Sequence, residues 1–410
     1  MPSQTIVIGA GIAGLIAAHD LAKAGASVTV LEGAARPGGR AQTRREGGYA
    51  INQGPHALYL GGAFRKALDR IGVAYAGEPR EIQRKALRGG KLHTLPVGAT
   101  SLMTTSLFDV ADKAGFAGIM AKLKDAGAPA GSFAAWADGQ RLRPRVREAL
   151  SALLRLSSYA HAEDEVPAAE AIAQIRLALG GTLYVNDGWQ TLVDGLLEKA
   201  EAAGATIRSS AVATTLTRSA SGWSVGLGSG ETLQAAGVVL ACPPDVAASL
   251  IGEPGRFANL RACRANTLDL ALSHLPEGSH DFVLGIDRPL YASVHSATAR
   301  LTPPGGVLVH FARYLAPDEA PGPDAAEELE ALADLTLPGW RKHVVRRQRL
   351  IAMPVVHALP TLAVPRPDVD VPGMPGVCLA GDWVGREAML SDTAAASAAI
   401  AARSLLNFLG

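Results

Sequence analysis

Cysteine is scarce in this chain. Its 410 residues include three, Cys242, Cys263 and Cys378, with no CxxC spacing, which argues against a disulfide framework, a thiol redox centre or a zinc site. The ten histidines form no HxH or HxxxH pair, so no metal is expected. Neither sign of charge dominates, with 39 basic against 38 acidic side chains, and nothing points to nucleic acid, a polybasic membrane patch or a disordered tail. No unbroken apolar run approaches the roughly eighteen residues a membrane span needs. The nearest, the Ala-rich C-terminal stretch, carries Arg403 and Asn407 and has a pattern suited to packing on a sheet. A first strand opening by Thr5 leaves no room for a signal peptide, so a cytoplasmic location is expected.

What is present begins at once, in "TIVIGAGIAGLIAAHDLAKAGASVTVLE" (Thr5 to Glu32). An apolar run reads as a buried strand, Gly9-x-Gly11-x-x-Gly14 follows, and a helix then runs until Gly25 stops it. Gly9 permits the tight turn, Gly11 lets the backbone approach phosphates, and Gly14 lets helix and strand pack closely. A second strand ends at Glu32, eighteen residues past Gly14, where an acid can accept the hydroxyls of an adenosine ribose while the pyrophosphate sits on the helix N-terminus. On that helix His19 is expected to face solvent.

The next stretch, "GAARPGGRAQTRR", fits the RxGGRxxS/T pattern through Arg36, Gly38, Gly39, Arg40 and Thr43. In the glutathione-reductase-type flavoprotein superfamily this pattern continues an FAD site. Gly38 and Gly39 let the loop pass close to a cofactor, and Arg40 can neutralise a pyrophosphate. Near the C-terminus "GVCLAGDWVGREAMLSDTAAASAAIAARSLL" resembles the second FAD motif of the same superfamily. The chain thus resembles the amine oxidase and phytoene desaturase group of flavoproteins, with protoporphyrinogen oxidase as a cousin, also through "YAINQGPHALY", "GWQTLVDGL" and "VVLACPP". Ala34 stands where many members carry Arg.

The resemblance implies a Rossmann-like α/β domain binding FAD, with an inserted α+β substrate domain. It places cofactor contacts at Gly9, Ala10, Gly11, Ile12, Ala13 and Gly14, at Glu32, Gly33, Arg36, Gly38, Gly39 and Arg40, and at Gly54, Pro55 and His56. Further contacts fall at Val212, whose backbone would meet the adenine, at Gly381 and Asp382, and at Met389 and Leu390, where a helix start would face the pyrimidine end of the flavin. The cofactor domain is expected to be discontinuous, in segments 1–85, 183–250 and 345–410. Residues 86–182, rich in helix, and 251–344, containing strands, would form the substrate domain. No second GxGxxG opens a strand–helix unit, so no nicotinamide domain is expected.

Amine oxidases of this group sandwich the amine between two aromatic rings. Here no Phe, Tyr or Trp lies between Arg341 and Asp382, and Met389 stands at the second ring's place. An amine is therefore disfavoured, and a mostly apolar small molecule giving hydride to flavin N5 is the leading expectation. Trp383 is expected on the cofactor side. His56 is the candidate general base, with hydrogen bonding to backbone or flavin as its alternative role. His310, expected at the surface, and Arg313, Tyr314, Tyr159 and His161 are further candidates for substrate contact. Two other functions stay open: flavin-dependent isomerisation without net redox change, as in carotenoid isomerases, and a binding protein on the same scaffold, as in the Rab escort group.

Overall fold

The computed structural model describes residues 4–220, 222–320, 322 and 325–410. Five parallel strands stand in the order Val377–Leu379, Gly237–Leu240, Gln4–Ile8, Ser27–Leu31, Thr206–Arg208. Three stretches far apart in sequence thus build one sheet. Its central strands are apolar at successive positions (Ile6, Val7, Ile8; Val238, Val239, Leu240) and buried throughout, as expected where both faces are covered. The helix Ile12–Lys23 packs on Leu390–Leu409 and Gln190–Ala202. A three-stranded antiparallel sheet (Ala213–Ser219, Gly222–Leu227, Thr232–Ala235) adds Trp223, Val225 and Leu227 to the same core. This is the Rossmann-like α/β arrangement expected.

His19 corrects its expectation. It is buried at 5% exposure, because distant helices cover Ile12–Lys23 on two sides, which the helix's own residues do not reveal. Its Nδ1 lies 2.9 Å from Asp20, which also accepts two bonds from Arg70.

A second, mixed sheet of seven strands runs Val344–Val356, Cys263–Leu272, Val307–Tyr314, Leu290–Val294, Phe282–Gly285, Arg84–Arg88, Lys91–Thr94. It moves two expected boundaries. The strand Val344–Val356 pairs with Cys263–Leu272 along its length instead of opening the C-terminal cofactor segment, and the boundary at 85 falls inside a strand that pairs with Phe282–Gly285.

The two faces of this sheet differ. Leu268, Leu270, Val309 and Phe311 pack under the helix Ala325–Thr336. Tyr291, Ala312 and Tyr314 point the other way, into a core shared with helices Val110–Asp125, Pro144–Ser158 and Ala168–Leu179. Among the described residues no helix is long and apolar enough to cross a membrane.

Candidate active site: a cleft between two uncapped helix starts

A cleft of about 610 Å³ opens along the ends of the parallel strands. Its lining passes from Glu32, Gly33 and Val212, through Gly11, Arg40, Gly381 and Asp382, to His56, Tyr59, Tyr159, Trp189 and Leu390. The helices Ile12–Lys23 and Leu390–Leu409 both start here, and neither has a side-chain cap, so first-turn amides remain for an acidic ligand. A Cβ on Gly11 would meet no atom within 4 Å; that glycine faces open space. A Cβ on Gly14 would stand 1.8 Å from the carbonyl oxygen of Gly9; that glycine permits the helix to cross the strand.

Glu32 is half-buried and accepts hydrogen bonds from the amides of Ala10 (2.7 Å) and Ala34 (2.8 Å). Arg40 donates to the carbonyl of Val355 (2.7 Å) and pairs with Asp382 (2.7 Å). Asp382 also accepts from the backbone and imidazole of His357, each at 3.1 Å. Burial by itself would raise the Asp382 carboxyl, but Arg40 and His357 outweigh it and hold the group well below the usual carboxylate range.

At the opposite end His56 packs on Trp189 with ring centroids 4.6 Å apart. Its Nδ1 lies 2.9 Å from the carbonyl of Gly54. A carbonyl only accepts, so Nδ1 carries the proton. Burial, joined by the fields of His310 and Arg40, brings the imidazole down to about 4. Tyr159, the C-cap of Pro144–Ser158, is held at φ 61°, and Leu390 at φ 59°. Bulky residues rarely adopt this conformation, and its recurrence is typical of functional sites. The buried Arg366 braces the helix start, donating to Ala388 (2.9 Å) and Thr393 (3.0 Å).

Most residues singled out in the sequence meet in this cleft. Of the expected cofactor contacts, five do not line it. Ala10 is buried with its amide on Glu32, Gly14 serves the helix crossing, and Arg36 is exposed. Gly54 lies against Met353, which would stand 2.4 Å from an added Cβ. Met389 is buried in the helical core instead. Val212 lines the cleft, but its carbonyl already accepts from Gly228. Trp383 lines it too, donating to Cys242. Tyr159 is the one substrate-contact candidate on the lining; Arg313 turns to Glu319 and Glu328, and His310 is buried rather than exposed. The sequence reading missed Tyr59, Trp189 and His357. Tyr59 lies three residues after His56 in a motif already noted, whereas nothing near His357 marks it as a partner of Asp382.

A family model described as flavin containing amine oxidoreductase matches residues 12–268, and the chain belongs to that family. A phytoene desaturase of Neurospora crassa is 40% identical over 82 residues, 20% of this chain and 14% of that protein. An L-amino-acid oxidase of Daboia russelii is 54% identical over 57 residues, 13% of this chain and 11% of the other. The chain thus aligns with only a small part of these relatives' length. Among solved structures, an oxidoreductase from Methanosarcina mazei superposes with a TM-score of 0.77 at 20% identity, over 97% of this chain and 99% of the other. Cyclohexylamine oxidase from Brevibacterium oxydans gives 0.71 at 16% identity, over 100% of both chains. At such identities the likeness is one of fold.

The cofactor of the chain is FAD, and the cleft fits it. An acid stands at one end for ribose hydroxyls, the space beyond Gly11 and the Arg40 guanidinium suit a pyrophosphate, and the start of Leu390–Leu409 lies at the end walled by aromatic rings.

Proposed function

We propose that the protein oxidises a small molecule whose carbon skeleton packs at the ring end of the cleft, beside His56, Tyr59, Tyr159 and Leu390. One observation carries this reading: that end of the cleft is walled by Tyr59, Tyr159, Trp189 and Leu390, with no carboxylate among them. Burial lowers His56 to about 4 and raises the phenols of Tyr59 and Tyr159. A desolvated, neutral wall suits loss of hydride from carbon and offers no counter-charge to an ammonium group. When bound, FAD supplies the two-electron acceptor at N5. Around it the chain excludes water with Trp189 and the tyrosines, directs helix-start amides at the flavin, and fixes the pyrophosphate region through Arg40 and Asp382.

In this reading His56 is a positioning residue. An imidazole titrating near 4 is a weak proton acceptor at neutral pH. Anaerobic mixing with a substrate should bleach the flavin without any added reductant; activity that requires prior reduction would favour isomerisation instead. In the same experiment, His56→Ala at saturating FAD should bleach within about tenfold of the parent rate. A loss of about 10² to 10⁴, the range for a general base, would restore His56 to a catalytic role. His56→Gln should also flatten the acid sensitivity of the fold. An imidazole depressed from 6.5 costs stability as pH falls from 6.5 toward 4, and the variant lacks that loss in melting curves.

A further inference from the structure

The carboxyl of Asp392 is buried where a charge is costly. The residue is 1% exposed, in the first turn of the helix Leu390–Leu409. Its Oδ1 accepts from the amide of Phe64 at 2.7 Å, whereas Oδ2 has no hydrogen-bond partner among the described residues. The helix Ala63–Ile71 begins at Gly62 and has no side-chain cap of its own, so an acid 328 residues away in sequence takes that role. A Cβ on Gly62 would stand 2.2 Å from Oδ1; glycine there makes room for the carboxyl. Burial outweighs the Phe64 amide and the field of Lys66 and pushes the group up to about 6.

Asp392 stands behind the ring end of the cleft. Leu390, Ser391 and Ala394 of the same helix line the cleft, and Asp392 does not, so it can act on the cofactor only through its field or its neighbours. Phe64, held by its backbone, packs on Trp189 with centroids 5.5 Å apart, and Trp189 packs on His56. The field reaches the lining too, adding to the effect of burial in raising the Tyr59 phenol. Lys66 faces the carboxyl from Ala63–Ile71, and Tyr59 from the strand Leu58–Tyr59. Arg366 is turned to Ala388 and Thr393, and the ionisable residues of the packed helix Ile12–Lys23 (His19, Asp20, Lys23) all lie in its second half.

We propose that Asp392 is a positioning residue whose charge holds down the reduction potential of bound FAD. The proposal rests on the flavin ring lying at the start of Leu390–Leu409, and not on which substrate is oxidised. Hydride delivered to N5 leaves one added negative charge on the ring system. Amides of an uncapped helix start favour that charge, and an ionised acid in the same turn opposes it. Salt screens a buried charge little, and through protein over roughly 10 Å one unit charge shifts an equilibrium by about tenfold. Once the carboxyl takes up a proton the opposition ends, so the fold carries an acid-released brake on flavin reduction.

Asp392→Asn removes the charge and keeps an oxygen for the Phe64 amide. Potentials of the FAD-loaded parent and variant, read by dithionite titration against redox dyes, need no substrate. At pH 8 the variant's reduction equilibrium should be about tenfold more favourable, about 30 mV for two electrons; at pH 5, where the parent carboxyl is protonated, the two should agree within about twofold. Equal potentials at pH 8, or a gap of the same size at both pH values, would overturn the proposal. So would a folded variant that does not retain FAD, which would make Asp392 a residue that seats the cofactor. Urea melts give a second reading. A carboxyl raised above its unfolded value costs stability at neutral pH and stops doing so as pH falls through about 6, so the parent should gain on the variant between pH 8 and pH 5; a stability difference independent of pH would also overturn it. The expected potentials with no flavin reduction by any organic substrate would keep the brake and remove the proposed oxidation, and substrate bleaching with equal potentials would do the reverse.

Discussion

Arg40→Ala is expected to leave the protein about 3 kcal/mol less stable and without retained FAD. In the parent the buried Asp382 carboxylate faces the Arg40 guanidinium at 2.7 Å. Removing one member of a buried pair strands the other, at about 3 to 5 kcal/mol. The low end applies because the Arg40 side chain is 35% exposed and His357 still donates to Asp382. The pH dependence gives the cause away. In the parent the depressed carboxyl stabilises the fold above its unfolded value of about 3.9, and that stability is lost as pH falls through the folded value. In the variant burial dominates, the carboxyl titrates above its unfolded value, and its ionisation at neutral pH opposes folding. The stability gap, from urea melts, should therefore narrow between pH 7 and pH 4. A gap independent of pH would mean that Asp382 is not the group stranded.

Gly14→Ala should prevent accumulation of folded protein, whereas Gly11→Ala should fold normally and fail to take up FAD. At Gly14 the added methyl carbon would lie 1.8 Å from one backbone atom and 3.3 Å from the Ala241 side chain. Relief requires the helix Ile12–Lys23 to lift off the strand Gln4–Ile8, a core disruption of about 4 kcal/mol or more. At Gly11 the backbone is extended (φ −79°) and the methyl meets nothing, so stability should stay within about 0.5 kcal/mol of the parent. The methyl then occupies the space beside the uncapped helix start. Soluble yield, melting temperature and bound flavin absorbance of the two variants check this. A stable Gly14→Ala protein, or a yellow Gly11→Ala protein with normal FAD affinity, would contradict the division of labour between the two glycines.

The parts legible in the sequence are those whose logic is local. Gly9, Gly11 and Gly14 act through backbone geometry within six residues, Glu32 through the length of one helix and strand, and Gly381 and Asp382 through the end of a strand. The ring end is different. Tyr59, Tyr159, Trp189 and Leu390 come from four separated segments, and only the sheet order brings them together. His310 shows the limit most plainly. Its strand "VLVHFARYL" is buried on both faces, so the apolar alternation that distinguishes inside from outside is absent, and its partner Asp269 is set by a strand register no local pattern states. His19 fails for the same reason: its helix packs on Leu390–Leu409 and Gln190–Ala202, which come from elsewhere in the chain.

The parallel sheet also imposes a delay on the nascent chain. The strand Gln4–Ile8 pairs on one flank with Ser27–Leu31, made almost at once, but on the other with Gly237–Leu240, Val7 standing opposite Val239. At 5 to 20 residues per second, about 10 to 40 seconds separate the two partners. During that interval a strand carrying Ile6, Val7 and Ile8 has an open edge, and open edges recruit other chains. The recovery of active protein should thus depend on how fast residues 32–236 are translated, and on whatever shields that edge at the ribosome.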